Sequence, residues 1–247
     1  MQHLPSSADG PKLHPLVQTL AASIRVVRDT MPGIVPLVID PNLMDISGAL
    51  DNQTLSIRNE LHRCRGMRKL HLETARLGAG LEILHCVFFP DPCFDLPVFG
   101  TDVVIGPSGI SAAIVDLSPV ASTLPAAIEN QLESRTPPPF RQARKLPAWG
   151  SIFSPHVCFI RPADSQEESW FVEEALDYLR ILVTAAETAR PEEPSAGPTI
   201  GRYYGQVGYC RQQKRNDKTR RVLARAFNSD WADHYIEKLL FDDPLPP

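Results

Sequence analysis

The sequence predicts an α+β fold in which an antiparallel sheet is covered by helices. Three observations carry this. Apolar runs joined by short turn signatures crowd residues 48–117, these runs fall as consecutive hairpins, which implies an antiparallel sheet, and helical apolar periodicity marks both ends of the chain. With 247 residues, 43% hydrophobic and 22% charged, the chain can bury a sizeable core as one domain over 1–247. Residues 1–12 are expected to be disordered.

In order, Leu16, Val17, Leu20, Ala21, Ile24 and Val27 recur at helical spacing, so a helix is expected over about 14–29, ending before Pro32. Gly48–Leu50 and Leu55–Ile57 flank Asp51-Asn52-Gln53-Thr54 as a first hairpin. A second hairpin turns at Gly78-Ala79-Gly80, and a third joins Val98–Ile105 to Ile110–Leu117 through Gly106-Pro107-Ser108-Gly109. A seventh strand is plausible at His156–Ile160. Ser134–Trp149, with three consecutive prolines, reads as a surface connection preceded by a short helix.

Ser165 with Glu168 forms a capping-box pattern that opens a helix to about Ala189. Arg190–Pro198 reads as a linker. The rest, to Phe241, is helical in pieces with breaks at Asn216-Asp217 and Asn228-Ser229, where Ser229 is placed to cap the last helix. Loosely joined C-terminal helices over a wide sheet leave room for a deep pocket between layers.

Several function classes are excluded or weakened. The five cysteines form no Cys-x-x-Cys pair, which argues against zinc, iron–sulfur and disulfide frameworks. There is no dinucleotide fingerprint, phosphate loop or haem-attachment motif, so redox chemistry would need electrons from outside. The N-terminus lacks a secretory pattern and no apolar run would cross a bilayer, so a cytoplasmic protein is expected. A net charge of -4 opposes nucleic acid. That charge is uneven: Arg211–Arg225 holds seven basic residues and one acid, against 18 basic and 28 acidic elsewhere. Such an island suits an acidic partner or an anion, or is simply a solvated helix face.

Met67–Asp102 concentrates the titratable groups. If the second hairpin centres on Ala79, Glu73 faces His85 across the strands. His71, Glu73, His85 and Asp102 all sit among apolar neighbours, where burial would raise a carboxyl pKa and lower an imidazole pKa unless they pair. Groups so placed exchange protons near neutral pH. A metal site is the competing use of His71, Glu73 and His85, although their spacing matches no zinc motif.

Four segments resemble the ferredoxin-dependent bilin reductases: Arg68-Lys69-Leu70-His71-Leu72-Glu73, Leu81–Pro90, Leu96–Asp102, and Asn216-Asp217-Lys218-Thr219-Arg220-Arg221. The resemblance covers nearly the whole chain. It implies a three-layer α/β/α sandwich with a central antiparallel sheet, and biliverdin IXα bound between the sheet and the C-terminal helices. It further implies four-electron reduction to phycocyanobilin, the D-ring vinyl group first and then the A-ring, through substrate radicals. Reduced ferredoxin supplies the electrons, and no bound cofactor or metal is implied.

By the same resemblance, Glu73 protonates the D-ring vinyl group. His85 and Asp102 hydrogen-bond the bilin and supply protons to its centre, while His71 supports them. Asn216 and Lys218 line the pocket, and Arg144, Ser111 and Lys218 hold the propionates. Lys214, Arg215, Arg220 and Arg221 are expected to dock ferredoxin. The chain is expected to act as a monomer, with neither nucleic acid nor membrane as partner. Reduction to another bilin, phycoerythrobilin or phytochromobilin, and a non-reducing bilin carrier or lyase are the alternatives.

Overall fold

The computed structural model describes residues 13–50, 52–78 and 80–247, so the expected disordered start, Asp51 and Ala79 lie outside the described residues. Eight strands form one antiparallel sheet: β1 (Val35–Pro36), β2 (Asp45–Leu50), β3 (Gln53–Cys64), β4 (Met67–Leu77), β5 (Glu82–Pro90), β6 (Val98–Gly106), β7 (Gly109–Ser118) and β8 (Cys158–Ile160). The expectation was seven. The addition, β1, is two residues long and carries a proline, so it leaves no periodic signal.

β3 is far longer than its apolar run suggested. Its first half pairs with β2 and its last residues with β1, so both lie on one edge of the order β1-β3-β4-β5-β6-β7-β8. At the β4–β5 turn Gly78 and Gly80 have φ of +70° and +84°, a backbone region that glycine enters without a Cβ penalty.

Strict alternation splits the sheet into two faces. Leu70, Leu72, Leu84, Cys86, Phe88 and Phe99 point to a core shared with α1 (Pro15–Arg28), α2 (Ala126–Glu133) and α3 (Ser165–Thr188). In α3 the buried Phe171, Ala175, Leu179, Leu182 and Ala186 supply a stripe at spacings of three and four. On the other face, Ile57, Ala75, Val87, Phe89 and Val98 meet Tyr209, Leu223 and Tyr235. Those residues come from α4 (Gly197–Gln213), α5 (Asp217–Ala226) and α6 (Ser229–Tyr235), which runs on into a π-helical turn, Ile236–Leu240. The three layers are therefore helix, sheet and helix, as the fold class required. α4 can pass close to the chain at Val120 because residue 205 is glycine; a Cβ there would lie 1.8 Å from the Val120 carbonyl oxygen.

Two helix caps differ from expectation by one residue. Asp164, not Ser165, caps α3, its carboxylate accepting from the Gln166 and Glu167 amides. An anionic acceptor at a helix N-terminus also meets the dipole, which a serine hydroxyl does not. Likewise Asn228, not Ser229, caps α6 by accepting from the Trp231 amide. The linker ends at residue 196, since α4 already includes Gly197 and Pro198. Among the described residues no helix is long and apolar enough to cross a membrane.

Candidate active site

One transverse row of the sheet builds the site. Asn59 pairs with Glu73, Glu73 with His85, His85 with Asp102, Asp102 with Ile114, and Ile114 with Phe159, from β3 across to β8. The expected opposition of residues 73 and 85 is met. Adjacent strands lie about 4.8 Å apart, so each polar side chain stands beside the next. All of these except Asn59 line a cavity of about 460 Å³ between the sheet and the C-terminal helices, within the range of small-molecule sites. Two larger hollows, of about 910 and 830 Å³, lie at the β2–β4 end and beside the C-terminal residues. Volume alone does not choose among the three; the buried proton-transferring groups do.

His71 is fully buried in the neighbouring row, its ring centroid 5.8 Å from that of His85. Hydrogen-bond accounting fixes its tautomer. The Asn59 amide nitrogen donates to the Leu43 carbonyl at 2.7 Å, so Asn59 Oδ1 is the atom that faces His71 Nε2 at 2.8 Å and the Tyr235 hydroxyl at 3.0 Å. As Oδ1 only accepts, His71 Nε2 carries the hydrogen. Burial first, then the charges of Lys69 and His85, hold His71 well below the usual imidazole range, so the ring is neutral.

The Tyr235 hydroxyl also lies 2.9 Å from Glu73 Oε2. Its one hydrogen is shared between the two oxygens it faces, Asn59 Oδ1 and Glu73 Oε2. Burial outweighs the pull of His85 and of the Tyr235 hydrogen bond and raises Glu73 above the ordinary carboxylate range, with the Asp102 charge adding to the rise. His85 Nδ1 and Asp102 Oδ1 are 2.5 Å apart. Burial opposes charge on His85, but the Asp102 carboxylate, by its charge and its hydrogen bond, and Glu73 carry the ring above its usual value. The row thus holds a carboxyl whose proton burial favours, beside an imidazole that gains a proton easily. His71 Nδ1 and His85 Nε2 have no hydrogen-bond partner among the described residues.

Opposite the sheet, Asn216 and Lys218 line the cavity, and Asn216 caps α5 through the Lys218 amide at 3.2 Å. Arg144 lines it from the 134–149 connection, over the Phe159 ring and donating to the Ser111 carbonyl. Ser111 is not brought in with them. The β6–β7 register shifts beside it, and its hydroxyl donates to the Val104 carbonyl at 3.0 Å. Of the basic island, Arg220 pairs with Asp233, Lys214 reaches Asp243 at 3.4 Å, Arg215 donates to Gln212 at 2.9 Å, and Arg221 is exposed. Residues without a sequence signal complete the cavity: Lys145 beside Arg144, Trp149 and Phe153 from the connection, and Phe241, whose ring meets His85 edge-on at 5.6 Å. Asn59 could have been found by extending the strand register one step, from Glu73 to β3. Among the described residues no cluster of His, Cys, Asp or Glu could hold a metal ion.

The family model for ferredoxin-dependent bilin reductase matches residues 21–242. This chain belongs to the ferredoxin-dependent bilin reductases. Among its curated relatives, the phycocyanobilin:ferredoxin oxidoreductase of Prochlorococcus marinus (strain MIT 9313) is 60% identical over 240 residues, covering 97% of this chain and 91% of that one. The enzyme of the same name from Synechococcus sp. (strain CC9902) is 58% identical, with 96% of each chain covered. The fold is shared with phytochromobilin synthase from tomato, solved in complex with biliverdin, at a TM-score of 0.72 and 17% identity over 91% of this chain and 82% of that one.

Proposed function

We propose that the chain reduces biliverdin IXα to phycocyanobilin with electrons from reduced ferredoxin, working as one bilin-reducing domain over 1–247. One observation carries the reading: Glu73 and the His85–Asp102 pair stand side by side on one cavity wall, in a chain 60% identical to an enzyme named for this conversion. Four electrons and four protons are consumed, two of each at the D-ring vinyl group and two of each at the A-ring.

Each electron makes the bound bilin more basic, so a proton follows from the nearest acid. Glu73, a carboxyl whose burial favours its protonated form, delivers to the vinyl group. His85 and Asp102 exchange protons with the central pyrroles, His85 through its unpartnered Nε2. Neutral His71 fixes Asn59, which helps hold the Tyr235 hydroxyl against Glu73. Arg144, Lys145 and Lys218 place three cations at the cavity, suited to two propionates, and Asn216 packs on the helical side. In this reading Ser111 acts through its carbonyl, which orients Arg144.

Ferredoxin docks on Lys214, Arg215, Arg220 and Arg221, within the basic stretch that leads into the cavity lining at Asn216 and Lys218. The reading takes one chain as the working unit, with Glu73, His85, Asp102 and the three cations on one cavity. With ferredoxin as donor, the proposed compartment is the cytoplasm. The test is anaerobic turnover of the purified chain with biliverdin and reduced ferredoxin. The phycocyanobilin absorption spectrum is the expected product; another bilin's spectrum, or bound but unreduced biliverdin, refutes the assignment.

A further inference from the structure

The segment that closes the cavity beside His85 is tied to β4 at both ends. At its start, the Tyr235 hydroxyl meets Glu73 at 2.9 Å. At its end, Asp242 pairs with Lys69 and, at 2.6 Å, with Arg68. Between them runs the π turn, closed by the Phe241 amide donating to the Ile236 carbonyl at 2.9 Å. A helix end leaves carbonyls without intrahelical partners. Here the Lys69 ammonium takes two of them, Leu239 at 2.7 Å and Leu240 at 3.3 Å, as well as the Asp242 carboxylate. A second hold comes from Arg68, which donates to the Asp242 carbonyl at 2.8 Å.

Lys69 is 3% exposed, and a lysine is seldom buried so deeply without a role that needs the charge. Positions 69, 71 and 73 share one face of β4, so the Lys69 and His71 Cα atoms lie about 7 Å apart along the strand. Of the residues it holds, Leu240 lines the cavity, as does the next residue, Phe241, whose ring rests edge-on against His85.

We propose that Lys69 and Asp242 are positioning residues for bilin reduction: their ion pair latches the π turn to β4 and thereby sets Phe241 and Leu240 against His85. The proposal rests on the bilin-reducing reading of this cavity. The Lys69 charge also acts on the row directly, holding the His71 pKa down behind burial and opposing the upward pull of Asp102 and Glu73 on His85. A latch that merely fastened the tail would affect stability alone.

The test compares Asp242→Asn and Asp242→Glu in the full chain. Asp242→Asn is expected to lower kcat about 10- to 100-fold with KM for ferredoxin unchanged, and to shift the pH titration of the bound biliverdin spectrum; Asp242→Glu restores both. Wild-type kcat and spectral titration in Asp242→Asn, with only a lower Tm, overturns the proposal. Imidazole NMR on the bilin-free chain separates this from the functional reading, because it needs no turnover. His85, which also faces Asp102, Glu73 and His71, should change its ring shifts in Asp242→Asn, and unchanged shifts refute the latch even if no biliverdin is reduced. Should Asp242→Asn not fold, Lys69→Met with Asp242→Leu removes both charges together and is held to the same NMR outcome.

Discussion

Replacing Tyr235 by Phe removes one oxygen and leaves the ring, its stack on Trp231 at 4.9 Å, and the fold of α6 in place. Two contacts vanish, to Asn59 Oδ1 at 3.0 Å and to Glu73 Oε2 at 2.9 Å. Asn59 keeps its bond to His71, so the loss falls chiefly on Glu73, which at 7% exposure has little access to water in exchange. Leaving a buried polar group short of a partner costs about 2 kcal/mol. For a chain of this size that lowers Tm by roughly 6 °C. The Tyr235 hydrogen bond works against the burial that raises the Glu73 pKa, so its removal moves that pKa further up. Glu73 then becomes a weaker acid, and its proton transfer to the vinyl group slows. Denaturant unfolding reads the first effect, and the infrared band of the protonated carboxyl followed against pH reads the second. A stability change under about 0.5 kcal/mol together with an unmoved Glu73 titration refutes the hydrogen-bond accounting.

Other substitutions probe the remaining parts. Glu73→Gln keeps the shape but supplies no acid proton, so vinyl reduction should fall by about 10²- to 10⁴-fold while spectroscopic titration shows biliverdin still bound; undiminished phycocyanobilin output removes Glu73 from the chemistry. Charge reversal at Arg220 and Arg221 together should flatten the ionic-strength dependence of turnover, with Arg221→Glu the stronger single change because Arg220 is already paired with Asp233; an unaltered salt slope rules out this docking face. Burial holds the His71 imidazole in the folded chain below the ordinary value of 6.5, so the unfolded chain takes up the proton first and stability is lost as pH falls below about 6.5. His71→Gln should reduce that acid-side slope in denaturant melts, leaving the share from His62, which is lowered in the same sense; an identical slope shows that His71 is not held neutral.

What could be read in advance follows from where each constraint is stored. The Glu73–His85 opposition was legible because a tight glycine turn fixes hairpin register locally, and a one-residue slip would drive Leu70, Leu72, Leu84 and Cys86 out of the core. The next hairpin shows the limit of that logic. Centred on Gly106–Gly109, a regular ladder would set Asp102 opposite Ala113. The shift beside Ser111 brings Ile114 there instead, and it is Ile114 that lines the cavity while Ala113 joins the opposite core. A bulge adds one residue without changing composition or apolar periodicity enough to be seen, so Ser111 seemed free to meet an anion when its hydroxyl is in fact spent on Val104. The helical side of the site is harder still. Tyr235 reaches Glu73 from 162 residues away, and Phe241 reaches His85 from the far end of a π turn whose Leu239 carbonyl a buried lysine holds. Such contacts depend on how layers dock, a property of the whole packed core. The strands therefore announced which groups would stand in a row, and the helical layer packed against them decides how deeply each is buried.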